Sequence, residues 1–298
     1  GGHEVNPQAS QAIAHHRTRS LEEGLNIAKH IGATFNEVLG GWALGELQRL
    51  RGEYEDAILN LQTALDTARP MESFLPFLVV IPMASLGSAY FALGDAYNAQ
   101  VRELHGTALK MLENPGSMPG GGSAWADIGY CAMALGNLGT ARDVFQKGLT
   151  IPSVQMFVQR PRHMMGLAYI EIEQGNLDEA AALLAEARAF AEERQMMNLY
   201  PHLDFAGGQL RLARNDYAQA LEYLKHAEKR ALAMKLRPTV WQARMAMARA
   251  LDALGRPDEA DKKRNAARGM IDEIASLFRD TDLAASYVRA ATRQALAI

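Results

Sequence analysis

Cysteine is almost absent: Cys131 is the one thiol in 298 residues. An internal disulfide framework is thereby excluded, and a reducing, cytoplasmic setting is expected. Long apolar runs are missing too. The most apolar stretch, Phe74 to Ile81, is bounded by proline and far too short to span a bilayer. It reads instead as the buried start of a long helix. No signal-peptide pattern opens the sequence as it stands. Charge of either sign is scarce in excess: the formal net charge is −3 and the pI about 6.3. That predicts no bulk attraction to nucleic acid or to an anionic membrane. Catalytic signatures are lacking as well. There is no G-x-x-x-x-G-K-[ST], no G-x-S-x-G and no HExxH, and no nucleophile stands beside a base. The chain is therefore expected to be non-enzymatic, with no metal and no cofactor.

What the sequence does contain is a grid of small residues. Gly52, Gly94, Gly136, Gly175, Asn215 and Gly255 recur at spacings of 42, 42, 39, 40 and 40. Five residues after each stands Ala57, Ala99, Ala141, Ala180, Ala220 or Ala260. Twelve after stands Ala64, Gly106, Gly148, Ala187, Ala227 or Ala267, and seven before stands Gly45, Gly87, Gly129, Ala168, Gly208 or Ala248. Between the turns the apolar spacing is helical, as in Ala57, Ile58, Leu61, Ala64 and Leu65. Gly or Asn at the turn suits a helix end that needs positive φ. The small residues suit helices that cross closely. The −7 and +5 positions are expected to face each other across a hairpin, and the +12 position to admit the next hairpin. One hairpin cannot bury its own apolar face, so the units must stack.

This grid resembles the tetratricopeptide repeat. Leu86-Gly87-Ser88-Ala89-Tyr90 matches the first half of the repeat pattern; Gly52-Glu53-Tyr54-Glu55-Asp56-Ala57 and Gly175-Asn176-Leu177-Asp178-Glu179-Ala180 match its turn and second helix. The period near 40 exceeds the usual 34, and the proline that usually closes the second helix is mostly missing. Long units of this kind are similar to the sensor arrays of bacterial signal-transduction ATPases of the maltose-regulator type and of multidomain cyclases. The resemblance implies an all-α solenoid, a right-handed superhelix of antiparallel helix pairs with a C-terminal capping helix. It also implies a sensor or docking module in a larger signalling protein, coupled to an N-terminal effector domain. A free-standing adaptor is the alternative.

The expected division is a partial repeat over residues 1–35, six repeats over 36–278 and a cap over 279–298. A turn is expected near Ala12, so that the sequence begins inside the grid, as a fragment would. Asp280 offers an N-cap for the last helix, which carries Leu283, Tyr287 and Ala291 on one face and reads as a natural end. Asn114 to Ser123 and Ile151 to Pro161 read as irregular links. Arg160, Arg162 and His163 would start a first helix, where an anion could bind. Glu53, Glu55 and Asp56 read as a solvated face, and Cys131 as a buried, inert thiol.

In the resembling family the first helix of each pair lines the concave face. Positions 13, 10, 6 and 3 before each turn then point inward. They supply Trp42 with Arg49, Phe91, Tyr130 with Met133, Arg162 with Met165 and Tyr169, His202 with Phe205 and Gln209, and Arg249. Aromatic and Met walls broken by a few polar groups suit a peptide, a protein segment or a small ligand.

Overall fold

The computed structural model describes residues 7–113, 122–150 and 154–297, and within these it is helical apart from short turns. After α1 (Pro7–His30) come six pairs: α2 (Thr34–Arg51) with α3 (Tyr54–Ala68), α4 (Pro76–Ala92) with α5 (Asn98–Glu113), and α6 (Gly122–Ala134) with α7 (Leu138–Thr150). Then come α8 (Val154–Glu173) with α9 (Leu177–Glu193), α10 (Tyr200–Ala213) with α11 (Tyr217–Ala233), and α12 (Arg237–Ala253) with α13 (Pro257–Ala275). Helix α14 (Thr281–Ala297) follows. Each pair packs on the next, giving an all-α solenoid. Among the described residues no helix is long and apolar enough to cross a membrane.

All six turn residues have positive φ, from 58° at Asn215 to 89° at Gly94. Behind them the small −7 residues form slots. A Cβ added at Gly45 would lie 2.6 Å from Leu61, at Gly129 2.5 Å from Phe145, and at Gly208 2.6 Å from Leu224. The side chain that fills each slot comes from nine residues past the turn, while at Gly45 the +5 residue Ala57 also faces it as expected, its carbonyl 3.2 Å from the added Cβ. In the second pair a 3-10 turn, Asp95–Tyr97, precedes α5 and shifts the register. There His105 meets Gly87, Ala99 is exposed, and Gly106 has no close neighbour. Gly148 does admit the next pair: its Cβ would fall 2.2 Å from His163.

Two other expectations are corrected. The backbone runs helically from Pro7 through Ala12, where a turn was expected; that stretch has no glycine to break it. Helix α8 likewise continues through Pro161. A proline deletes one helical hydrogen bond, and burial of Met164, Met165, Leu167 and Ala168 just beyond it holds the helix together. Of the expected links, residues 114–121 and 151–153 lie outside the described residues, whereas Gly122 and Ser123 already belong to α6. Asp280 caps α14 as expected: its Oδ1 accepts from the amides of Asp282 (2.8 Å) and Leu283 (3.1 Å).

Charge pairs tie successive layers. Asp204, 4% exposed, accepts from Arg188 of α9 at 2.5 Å and from Arg230 of α11. Glu228 accepts from Arg244 at 2.6 Å and Lys263 at 2.7 Å.

The array then closes on itself. The chain's last helices lie against the turns of the first two pairs, and the turn glycines record it. A Cβ at Gly94 would sit 2.7 Å from Ala290 of α14, and one at Gly52 3.0 Å from Ile274 of α13; at Gly175 nothing lies within 4 Å. Gly94 also has φ 89° and ψ −164°, a region closed to other residues. Gly94→Ala therefore combines backbone strain of about 1–3 kcal/mol with a clash. Gly175→Ala, at φ 80°, carries only the left-handed cost of roughly 1–2 kcal/mol. Urea titration should rank Gly94→Ala as the more damaging, and equal costs would contradict the tight approach.

Candidate interior binding site

The inner faces of the first helices converge on one carboxylate. Asp127 of α6 is 2% exposed, and it is the one charged residue of a helix otherwise reading GSAWADIGYCAMA. Its Oδ1 accepts from Arg162 of α8 at 2.7 Å, with Arg49 of α2 at 3.9 Å. Its Oδ2 accepts from the Ser85 hydroxyl of α4 at 2.9 Å, and that hydroxyl accepts from the Trp42 indole at 3.1 Å. Arg49 donates through Nε and Nη2 to Glu46, at 2.8 and 2.7 Å. Arg162 also donates to Gln159, and the Tyr130 hydroxyl donates to the backbone carbonyl of Arg162 at 2.8 Å. Four helices from four hairpins are thereby joined in one charge-balanced network.

Burial and charge set its ionisation. Burial pushes the Asp127 carboxyl up, but Arg162 and Arg49 more than offset this and hold it below the ordinary carboxylate range. Burial pulls against the charge on Arg49, which Glu46 and Asp127 nonetheless raise above its ordinary pKa. The Tyr130 and Tyr169 hydroxyls are raised, chiefly by burial. His202 is driven down to about 4 by burial first, then by the positive charges of Arg162 and Arg49. It therefore faces the cluster as a neutral imidazole.

Arg49 and Arg162 keep 17% and 19% of their side-chain surface exposed, and Glu46 keeps 16%. These groups are neither sealed in the core nor freely solvated. Each guanidinium has five N–H donors, more than its bonds here use. Such an arrangement is chemically suited to an oxygen acceptor, because its own pairs already fix the guanidinium planes. Beside it a cavity of about 550 Å³ is lined by Ser20, Leu21, Trp42, Ala43, Glu46, Leu47 and Leu50. Its walls are leucine and indole, with the Glu46 carboxylate at one side.

The sequence-based candidates divide. Trp42, Arg49, Tyr130 and Arg162 belong to the network, and His202 feels its charges. Tyr169 stands near Tyr130. Met165 is 3% exposed and packs in the core beneath, so it offers little to an occupant. Met133 and Phe205 are partly buried against the same inter-helix packing. Phe91 and Gln209 are half-buried, and Arg249 is exposed. Asp127 and Ser85 were missed because both stand nine residues before a turn, one step out of the assumed inward register. The isolation of Asp127 in an apolar helix was the available signal.

Arg160, Arg162 and His163 do not stand together at a helix start, the arrangement in which they could bind an anion, because α8 begins at Val154. Arg160 pairs with Glu186 at 2.9 Å, and His163 is fully buried against the carbonyl of Gly122. Cys131 is 4% exposed; burial pushes its thiol up to about 12, which makes it a poor nucleophile.

Residues 154–193 and 205–261 match the family model of the tetratricopeptide repeat. The sequence matches no curated protein. Among solved structures, a Rap protein complexed with Competence and Sporulation Factor is similar at TM-score 0.63 and 14% identity, over 92% of this chain and 78% of that one. BtubC (BKLC) from P. vanneervenii is similar at TM-score 0.51 and 14% identity, over 76% and 94%. A tetratricopeptide repeat protein from Parabacteroides merdae aligns at TM-score 0.47 and 16% identity, over 92% and 98%. At such identities the likeness to the first two is one of fold.

Proposed function

We propose that this chain, a helical solenoid carrying tetratricopeptide repeats, is a non-catalytic interaction domain that takes a peptide or an extended protein segment into its concave interior. The observation that carries this reading is the largely buried Glu46–Arg49–Asp127–Arg162 network, whose arginines keep some exposed surface, with Trp42 at its edge. A backbone carbonyl or carboxylate of the partner would meet the spare guanidinium donors, and an apolar side chain would enter the cavity beside Trp42 and Leu47. The fold likeness to a Rap protein, itself complexed with a factor, is in keeping with this. In the fuller reading the array is the sensing arm of a larger signalling protein and relays occupancy to an N-terminal effector. The adaptor reading places a second protein where the effector would be.

The test is a thermal-shift screen against peptide pools, oligosaccharides, nucleotides and metabolites, since a binder selective for the folded state raises the midpoint by mass action. A peptide hit should bind Trp42→Ala and Arg49→Gln at least about tenfold more weakly, 1.4 kcal/mol or more. A hit whose affinity ignores both substitutions, or a screen with no peptide hit, would refute the interior peptide site. A hit confined to small apolar molecules would favour the cavity alone.

A further inference from the structure

The contact between the two ends of the array has the character of a fitted interface. The first two turns present carboxylates: Glu53, Glu55, Asp56 and Asp95. The far end presents arginines. Arg279 pairs with Glu55 at 3.2 Å and Asp56 at 2.8 Å, and its backbone amide donates to Glu55 at 2.6 Å. Arg293 pairs with Asp95. Arg237 reaches Glu53 at 3.4 Å and is steadied by Glu273 at 2.7 Å. The acids expected to form a solvated face are therefore partners of residues more than 180 positions away.

Backbone groups are matched as well. Arg237 donates to the carbonyl of Arg51, the last residue of α2, at 3.1 Å. The buried Ser286 hydroxyl donates to the carbonyl of Leu93, just past α4, at 2.8 Å. Both are helix-end carbonyls that lack an intrahelical partner, and a cation at a helix C-terminus is favourable. Between the polar contacts Tyr54 packs on Tyr287 at 5.3 Å and on Phe278 at 6.4 Å. Gly52 and Gly94 allow the close approach.

The seam touches the interior site. Leu50 packs against the seam's apolar cluster and also lines the cavity. The site also draws on distant parts of the array: Arg49 belongs to the first hairpin, while His202, within reach of its charge, belongs to the fifth.

We propose that this seam is a reversible clasp that holds the array in its closed turn, and that the interior site is complete only while the clasp is shut. The clasp rests on the observed contacts alone; its link to binding rests on the interior site proposed above. A partner touching both the first and the fifth hairpins binds the closed form better and so shifts the population toward it.

The clasp is tested without any ligand by hydrogen exchange and small-angle X-ray scattering on the full chain. Arg279→Glu and Arg293→Glu should each speed amide exchange in residues 51–56 and 276–293 at least about tenfold and enlarge the radius of gyration, leaving α6 to α9 unchanged. The swaps Arg279→Glu with Glu55→Arg, and Arg293→Glu with Asp95→Arg, should restore both readouts toward wild type. No change in the single variants, or exchange rising equally in α6 to α9, would overturn the clasp. A working clasp together with a failed peptide screen would leave the clasp standing and remove the interior site.

Discussion

Phe145→Ala is expected to destabilise the middle of the array by about 3–5 kcal/mol. Phe145 is fully buried. Its ring meets Tyr130 edge-on at 5.1 Å and His163 at 5.9 Å. Above and below it stand two glycines of different helices, Gly129 of α6 and Gly166 of α8. Added Cβ atoms there would fall 2.5 and 2.3 Å from the ring. The ring thus fills a slot that two backbones leave open. With no side chain on those two glycine walls, the hole left by alanine is closed from fewer sides, which puts the cost at the high end of the range for core truncations. Repeat arrays unfold in parts, so the loss should be read locally. Hydrogen exchange in α6 to α8 should accelerate most, alongside a lower urea midpoint. A loss below about 1 kcal/mol would show that the slot closes and that the paired glycines are not there for the ring.

The second large effect is with pH. His163 is fully buried, and burial drives its pKa down to about 4 from an ordinary value of 6.5. His202 is also held near 4, and His105 is lowered by burial. The unfolded chain therefore binds protons from about pH 6.5 downward while the folded chain refuses them. Stability is fully present above pH 6.5, falls through the window from 6.5 to 4, and levels off below it as far as these groups are concerned. At 1.36 kcal/mol per pKa unit, His163 alone accounts for a loss of about 3 kcal/mol by pH 4. Thermal midpoints measured across that window should fall steeply for wild type. For His163→Gln, which keeps a donor for the Gly122 carbonyl, the slope should be shallower. Parallel curves would mean that His163 takes up a proton without cost.

Much of this fold was legible because its physics is local and repeated. A tight turn needs positive φ and a close helix crossing needs a small residue. Both needs recur every 40 residues or so, which marks Gly52 through Gly255 and Gly45 through Gly208. The cap at Asp280 is equally local. What escaped was either one step out of phase or far apart in sequence. Phe145 and Leu61 fill the slots from nine residues past the turn, because a side chain reaches a helical turn beyond the alanine that lets the backbones approach. Asp127 and Ser85 lie nine residues before their turns, where the expected inward register had no place for them. The pairing of Glu55 with Arg279 follows from the curvature accumulated over six hairpins, which no window of sequence contains. Of the interior site, its wall residues Trp42, Arg49, Tyr130, Arg162 and His202 were visible, while the carboxylate that organises them was not.

The proposed partner lies inside the solenoid against the Asp127 network. The most direct measurement is a hydrogen-exchange footprint of the bound peptide recovered from the screen. Protection concentrated on α2, α6, α8 and α10, with α9, α11 and α3 beyond its clasp residues 54–56 unchanged, is the predicted result. Protection confined to α3, α9 and α11 would place the partner on the outer helices and contradict the account.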